Sequence, residues 1–246
     1  MILLGLALGA ILLRTIFKSA AVGAVRSVNE KKSVSERIQE FEAPVHRRLG
    51  GRFGEIGVPY PPKKLVLLAL KSERMLEVWV PDANGQYRFL KTYPILGASG
   101  TLGPKLAEGD CQVPEGLYKI ESLNPNSLYH LALRIGYPNA TDREYGARDG
   151  RTNLGSDIML HGKSASIGCL AMGDEAAEDL FVLAAETGIG NIEVILSPVD
   201  FRVRGLPSGL SNAPEWTAGV YADIQREMAK LSDPKNAMPP VSRPDR

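Results

Sequence analysis

Cysteine and histidine are both scarce in this chain of 246 residues: the cysteines are Cys111 and Cys169, and the histidines His46, His130 and His161. Neither a Cys-x-x-Cys nor a His-Glu-x-x-His spacing occurs, so the three or four ligands of a tetrahedral zinc site are missing. No metal or other cofactor is expected. The Gly-x-Ser-x-Gly elbow of serine hydrolases is absent as well. Charge of one sign is also lacking, since 29 Lys and Arg stand against 28 Asp and Glu, for a net charge of +1. A nucleic-acid partner, which needs a one-sided basic surplus, is therefore disfavoured, and so is an acidic disordered chain. A hydrophobic content of 44% fits one globular domain with extensions.

The residues that carry chemistry lie in the stretch 159–174, MLHGKSASIGCLAMGD. It places His161 eight residues before Cys169, inside a Ser166-Ile-Gly168-Cys turn. A cysteine attacks carbonyls as the thiolate, and an imidazole nearby can take its proton. Gly168 permits a sharp turn and close approach of substrate, so the amide of Cys169 or a neighbour could face an oxyanion. His161 ends an apolar run, precedes Gly162 and is the candidate base; His130 reads as a half-exposed strand residue, and His46 lies in a separate helix. Ser166 is an alternative nucleophile, but its hydroxyl fits better as a support for the turn. A structural disulfide between Cys111 and Cys169 is the competing use of the cysteines. It would consume the nucleophile, and Cys111 reads instead as a small buried residue. Asp157 and Asp174 are candidates to orient His161.

The segment His161-Gly162 followed by Ser166-Ile167-Gly168-Cys169 resembles the active-site signature of the YkuD-type L,D-transpeptidase domain, and is most similar to its YafK-type branch. Further matches of that branch are Ser99-Gly100, Gly103-Pro104-Lys105, Gly109-Asp110, Pro114-Glu115-Gly116, Asn124-Pro125, Gly136-Tyr137-Pro138-Asn139 and Gly168-Cys169-Leu170-Ala171-Met172. Two departures from the broader family, Ala171 in place of an arginine and a short insert between His161 and Cys169, look YafK-like too. The resemblance implies a cysteine-dependent L,D-transpeptidase that acts on peptidoglycan stem peptides through a thioester at the third stem residue. His161 would be the proton carrier and Cys169 the nucleophile, and a backbone carbonyl such as that of Gly162 would orient the imidazole. It leaves two alternatives: a hydrolase of the same fold that frees groups such as wall-attached protein, and an inactive wall-binding module. Implied periplasmic or envelope-facing localisation follows from the substrate.

Along the chain, residues 1–26 read as an apolar signal or anchor segment through which the protein would be exported and then either cleaved or anchored in the inner membrane. Residues 27–62 hold an amphipathic helix over 34–49 and a Gly/Pro linker over 50–62. The catalytic domain is expected over 63–203, with strands near 65–70, 75–80, 87–96, 116–122, 129–135, 156–160 and 191–196 and a hairpin at Asn84-Gly85. Asp174 caps a helix ended by Gly188. Residues 204–233 form an extension with an amphipathic helix over 215–231, and 234–246 a disordered tail. The periodicity says mainly β with appended helices, an α+β chain, and the resemblance refines this to a β-sandwich-like arrangement of mixed sheets. Substrate contacts are expected from Lys105 and from a loop over 136–155 carrying Tyr137, Asn139, Arg143 and Arg151, whose arginines could hold stem-peptide carboxylates.

Overall fold

The computed structural model describes residues 31–207 and 213–231. The expected signal or anchor segment and the expected disordered tail from 234 lie outside the described residues. Among the described residues, no helix is long and apolar enough to cross a membrane.

Nine strands, β1 (Leu65–Leu70), β2 (Met75–Pro81), β3 (Tyr87–Pro94), β4 (Gly97–Ala98), β5 (Gly116–Ser127), β6 (His130–Ile135), β7 (Met159–His161), β8 (Leu170–Ala171) and β9 (Ile192–Ser197), join in the order β3-β2-β1-β9-β5-β6-β7-β8-β4. Pairing is antiparallel except for β1 with β9 and β7 with β8. With helices α1 (Val34–Ile56), α2 (Ala140–Arg148), α3 (Asp174–Thr187) and α4 (Thr217–Ala229), the chain is α+β. Strand β5 links two half-sheets: Gly116 to Lys119 pair with β9, and Ile120 onward pairs with β6.

Strand β1, LVLLAL, is buried at every position, because both faces of its half-sheet are covered. Leu65, Leu67 and Ala69 join the main core with residues of α1, α3, β6 and β7, while Val66, Leu68 and Leu70 meet Val220, Tyr221, Ile224 and Met228 of α4. The main core therefore receives side chains from both half-sheets.

Helix α1 does not stop at Gly50; it runs on through Gly50, Gly51 and Gly54, where the composition suggests a linker. Each glycine costs about 0.5–1 kcal/mol in a helix, and tertiary packing overrides that cost. Val45, Leu49 and Phe53 recur every four residues and are buried in the main core, and Arg52 donates to the carbonyls of Phe89 and Leu90. The helix ends in a Schellman motif: Gly57 has φ +66°, its N–H donates to Gly54 O, and the Val58 N–H donates to Phe53 O.

The expected loop over 136–155 contains helix α2. Asn139 and Asp142 form a reciprocal capping box. Only Gly146 is buried, so the apolar periodicity that betrays a helix is missing. Helix α3 begins after Gly173, which makes no side-chain cap. Its Asp174 is thus not the cap; its carboxylate accepts from the Lys163 N–H instead. Asp179 of α3, fully buried, accepts from Arg48 Nε (2.6 Å), Tyr93 Oη (2.8 Å) and Lys91 Nζ (3.1 Å), which ties α1, β3 and α3 together.

Candidate active site

Parallel pairing of β7 with β8 sets Leu160 beside Leu170 and His161 beside Ala171. Carried one pair back, the register puts Cys169 beside Met159, on the same sheet face as His161, because side chains alternate along a strand. Two residues of rise and one strand spacing separate the two Cα atoms by roughly 8 Å, within reach of an imidazole and a thiol that turn toward each other. The intervening loop is closed at its neck: Met172 N donates to His161 O (2.7 Å), Gly173 N to Lys163 O (2.9 Å) and Lys163 N to Asp174 Oδ1 (2.8 Å).

His161 is buried, and its Nδ1 lies 2.7 Å from Gly162 O. A carbonyl only accepts, so Nδ1 carries the proton and Nε2 keeps its lone pair. Burial pulls the imidazole below its ordinary pKa, against a smaller upward pull from that carbonyl. Neither Asp157 nor Asp174 touches the ring. Tyr129, at the β5–β6 turn, lays its ring over the imidazole with centroids 4.6 Å apart. Gly162 is walled in, since a Cβ there would stand 2.5 Å from Asp174 Oδ1 and 2.7 Å from Tyr129 O.

The Cys169 thiol donates to Asp157 O at 3.4 Å. Burial pushes its pKa above the ordinary thiol value; Asp157 adds to the rise, while a backbone contact from Met159 and the charge of Lys105 oppose it. Both shifts favour the neutral form of their group. Asp157 sits at φ +58°, a conformation non-glycine residues seldom adopt, and its carboxylate is held by Arg134 Nη1 at 3.0 Å.

Gly168 has φ +93°. Its N–H donates to Ser99 Oγ (2.6 Å), and the N–H of Cys169 donates to Ser166 Oγ (3.0 Å), which in turn donates to Cys169 O (2.6 Å). The two amides considered for an oxyanion thus carry serine hydroxyls in the resting site, and Ser166 supports the turn. Ser99 also donates to Cys111 O at 2.7 Å.

Cys111 is exposed rather than buried, at φ +54°, and both cysteines are free, so there is no disulfide. His130 pairs with Glu178 at 3.1 Å and lies edge-on to Phe41. Among the described residues no three His, Cys, Asp or Glu side chains gather as a metal site.

The five expected substrate contacts separate. Lys105 is buried against Asp110 (2.5 Å) and Ala107 O, near enough for its charge to act on the thiol. Asn139 is spent on capping α2 and on Leu117 O, and Arg151 on Asp149 and Leu106 O. Tyr137, buried with its hydroxyl on Leu154 O, and Arg143 line one cavity. Sequence reading passed over Ser99, Tyr129 and Arg134. Ser99 stands in a matched dipeptide, but no spacing tied it to Gly168, 69 residues away.

The sequence model of the YkuD family, described as the L,D-transpeptidase catalytic domain, matches residues 64–195, more than half of the chain. YafK of Escherichia coli K12, whose name assigns it to the L,D-transpeptidases, is 41% identical over 113 residues, which are 45% of this chain and 43% of YafK. YafK of E. coli O157:H7 matches equally. The chain thus spans less than half the length of these curated relatives. Among solved structures, the helical cell shape determining protein Pgp2 of Campylobacter jejuni is similar at 22% identity and a TM-score of 0.47, over 56% of this chain and 48% of that one. Bd1075 of Bdellovibrio bacteriovorus is similar at 18% and 0.41, over 68% and 55%.

Proposed function

Since the chain belongs to the YkuD family of L,D-transpeptidase catalytic domains, we propose that it is a cysteine-dependent L,D-transpeptidase that joins peptidoglycan stem peptides outside the inner membrane. The observation that supports this most is the 2.7 Å contact of His161 Nδ1 with the Gly162 carbonyl: a carbonyl only accepts, so Nε2 is left as a base on the sheet face that carries Cys169.

The cycle needs only these two side chains and a donor for the oxyanion. His161 Nε2 takes the thiol proton as sulfur attacks the carbonyl carbon of the third stem residue. The tetrahedral adduct collapses, the C–N bond breaks, and the amine of the fourth residue leaves with the proton from the imidazolium. A thioester on Cys169 remains. An amine of a second stem then attacks it, gives its proton to His161 and releases the thiol. Because the thiol sits above and the imidazole below its ordinary pKa, the proton moves with the attack rather than before it. For the Cys169 N–H to bind the oxyanion, its bond to the Ser166 hydroxyl must open.

The test is mass spectrometry of products formed from tetrapeptide muropeptides and from peptidoglycan that bears covalently attached protein, with Cys169→Ala as the control. Dimers joined through third residues, absent with the variant, are expected. Tripeptides without dimers would make water the acceptor and the protein a hydrolase, as would release of wall-attached protein. Dimers formed equally by Cys169→Ala would overturn the scheme.

A further inference from the structure

A cavity of about 380 Å³ opens on the sheet face that carries Cys169 and is lined by Lys119, Glu121, Arg134, Tyr137, Arg143 and Ser156. Its position follows from register. β6 pairs with β7 so that Ala132 lies beside His161 and Arg134 beside Met159. Leu131, Leu133 and Ile135 fill the core, so Arg134 projects from the opposite face, the one that carries His161 and, by the register of β7 with β8, Cys169. Arg134 reaches Asp157, whose own carbonyl accepts the thiol. One residue therefore touches both the cavity wall and the nucleophile.

The charges in this cavity are unequal. Arg134 lies 3.0 Å from Glu121 and from Asp157, which offsets both carboxylates. Its Nε is nonetheless shielded from water and has no hydrogen-bond acceptor in line, despite the nearness of Glu121. Lys119 and Arg143 have no acidic side chain within ion-pair distance among the described residues; Glu193, which pairs with Lys119 in register, is engaged by Lys64. Two cations without an ion-pair partner, Lys119 and Arg143, thus converge with Arg134 on one polar cavity. Such a set suits a planar anion that can accept two hydrogen bonds at once.

Resting on the thioester reading above, we propose that this cavity is a subsite for a carboxylate of the stem peptide, held by Lys119 and Arg143 while Cys169 works on the neighbouring carbonyl. A peptide extends about 3.3–3.6 Å per residue, so stem carboxylates one to three residues from the attacked carbonyl lie up to roughly 11 Å from it. Lys119 and Arg143 lie away from the reacting atoms, so they act on binding and leave the chemical step alone.

The test uses the full chain, the Lys119→Ala/Arg143→Ala double variant, and tetrapeptide donors whose carboxylates are converted one at a time to carboxamides. Thioester formation is followed by intact-protein mass spectrometry. Amidation at one position is expected to raise the half-saturating donor concentration about tenfold in the unaltered protein, to have no effect in the double variant, and to leave the maximal rate within about twofold in both. The preference of the unaltered protein should also shrink as salt rises. Equal penalties in both proteins, or a double variant that binds every donor as well as the unaltered protein, would overturn the subsite. A double variant that loses thioester formation at saturating donor would overturn it too, by moving these residues into the chemical step. Absence of any thioester in the unaltered protein would instead count against the transpeptidase reading.

Discussion

Gly162→Ala tests the active-site geometry most directly, because three walls meet the added methyl. Its Cβ would stand 2.5 Å from Asp174 Oδ1, 2.7 Å from Tyr129 O and 2.9 Å from His130 Cβ. The Asp174 carboxylate could swing aside, but only by releasing the Lys163 N–H that it holds at 2.8 Å. Tyr129 O belongs to the backbone and yields only if the start of β6 moves. Overpacking of this kind costs about 1–3 kcal/mol, and a chain of this size loses about 2–4 °C in Tm per kcal/mol, so a fall of roughly 2–12 °C is expected. Activity should fall further. The carbonyl that fixes Nδ1 is that of residue 162 itself, and a displacement on the order of 1 Å in a positioning group can cost about 100-fold in rate. The assays are thermal unfolding by circular dichroism and the rate of thioester formation at saturating donor. Full turnover by Gly162→Ala, with or without a fall in Tm, would refute the claim that this carbonyl positions the base.

Other outcomes follow from the same structure. Gly54→Ala should stabilise the protein by about 0.5–1 kcal/mol, because the glycine lies inside α1 with nothing within 4 Å of the added Cβ; an unchanged or lowered urea midpoint would contradict the helix. The rate of acylation should stay level through neutral pH and fall only below the ordinary imidazole value of 6.5, since His161 must be neutral to act and its pKa is lowered. A midpoint at or above 7 would refute this. The same lowering makes the stability tied to neutral His161 complete above the unfolded value and lost as pH falls toward the folded one; chemical unfolding across that range checks it. Iodoacetamide at pH 7 should modify exposed Cys111 before Cys169, whose thiol is partly buried and raised. Peptide mapping that finds Cys169 first would show a thiolate already present in the free protein.

Much of this fold could be read from residues alone where one interaction dominates. The Asn84-Gly85 hairpin between β2 and β3 and the Gly188 stop of α3 are local signals that the structure carries, and in β6 Leu131, Leu133 and Ile135 alternate into the core, though Tyr129 before them is exposed and Ala132 between them is buried. What escaped depends on distant partners. Helix α1 crosses three glycines because Leu49 and Phe53 are paid for by a core assembled from strands far along the chain. Helix α2 has polar surfaces and a single buried glycine, so no periodicity marks it. At the site, His161 and Cys169 stood out by residue type and proximity in sequence. Ser99, Tyr129 and Arg134 reach the same place through sheet pairing and turns, and neither their types nor their spacings reveal it.

The closed neck of the catalytic loop separates two quantities that a linear motif joins. His161 and Cys169 owe their relative placement to the β7–β8 register and to the bonds of Lys163, Met172 and Gly173, not to the number of residues between them. Extra residues inserted just after Lys163 would enlarge a loop whose base is already fastened, and each doubling of loop length costs only about 0.6 kcal/mol in closure entropy. The interval between His161 and Cys169 is therefore free to drift in evolution, or to accept an engineered insertion, while the two side chains keep their relative placement.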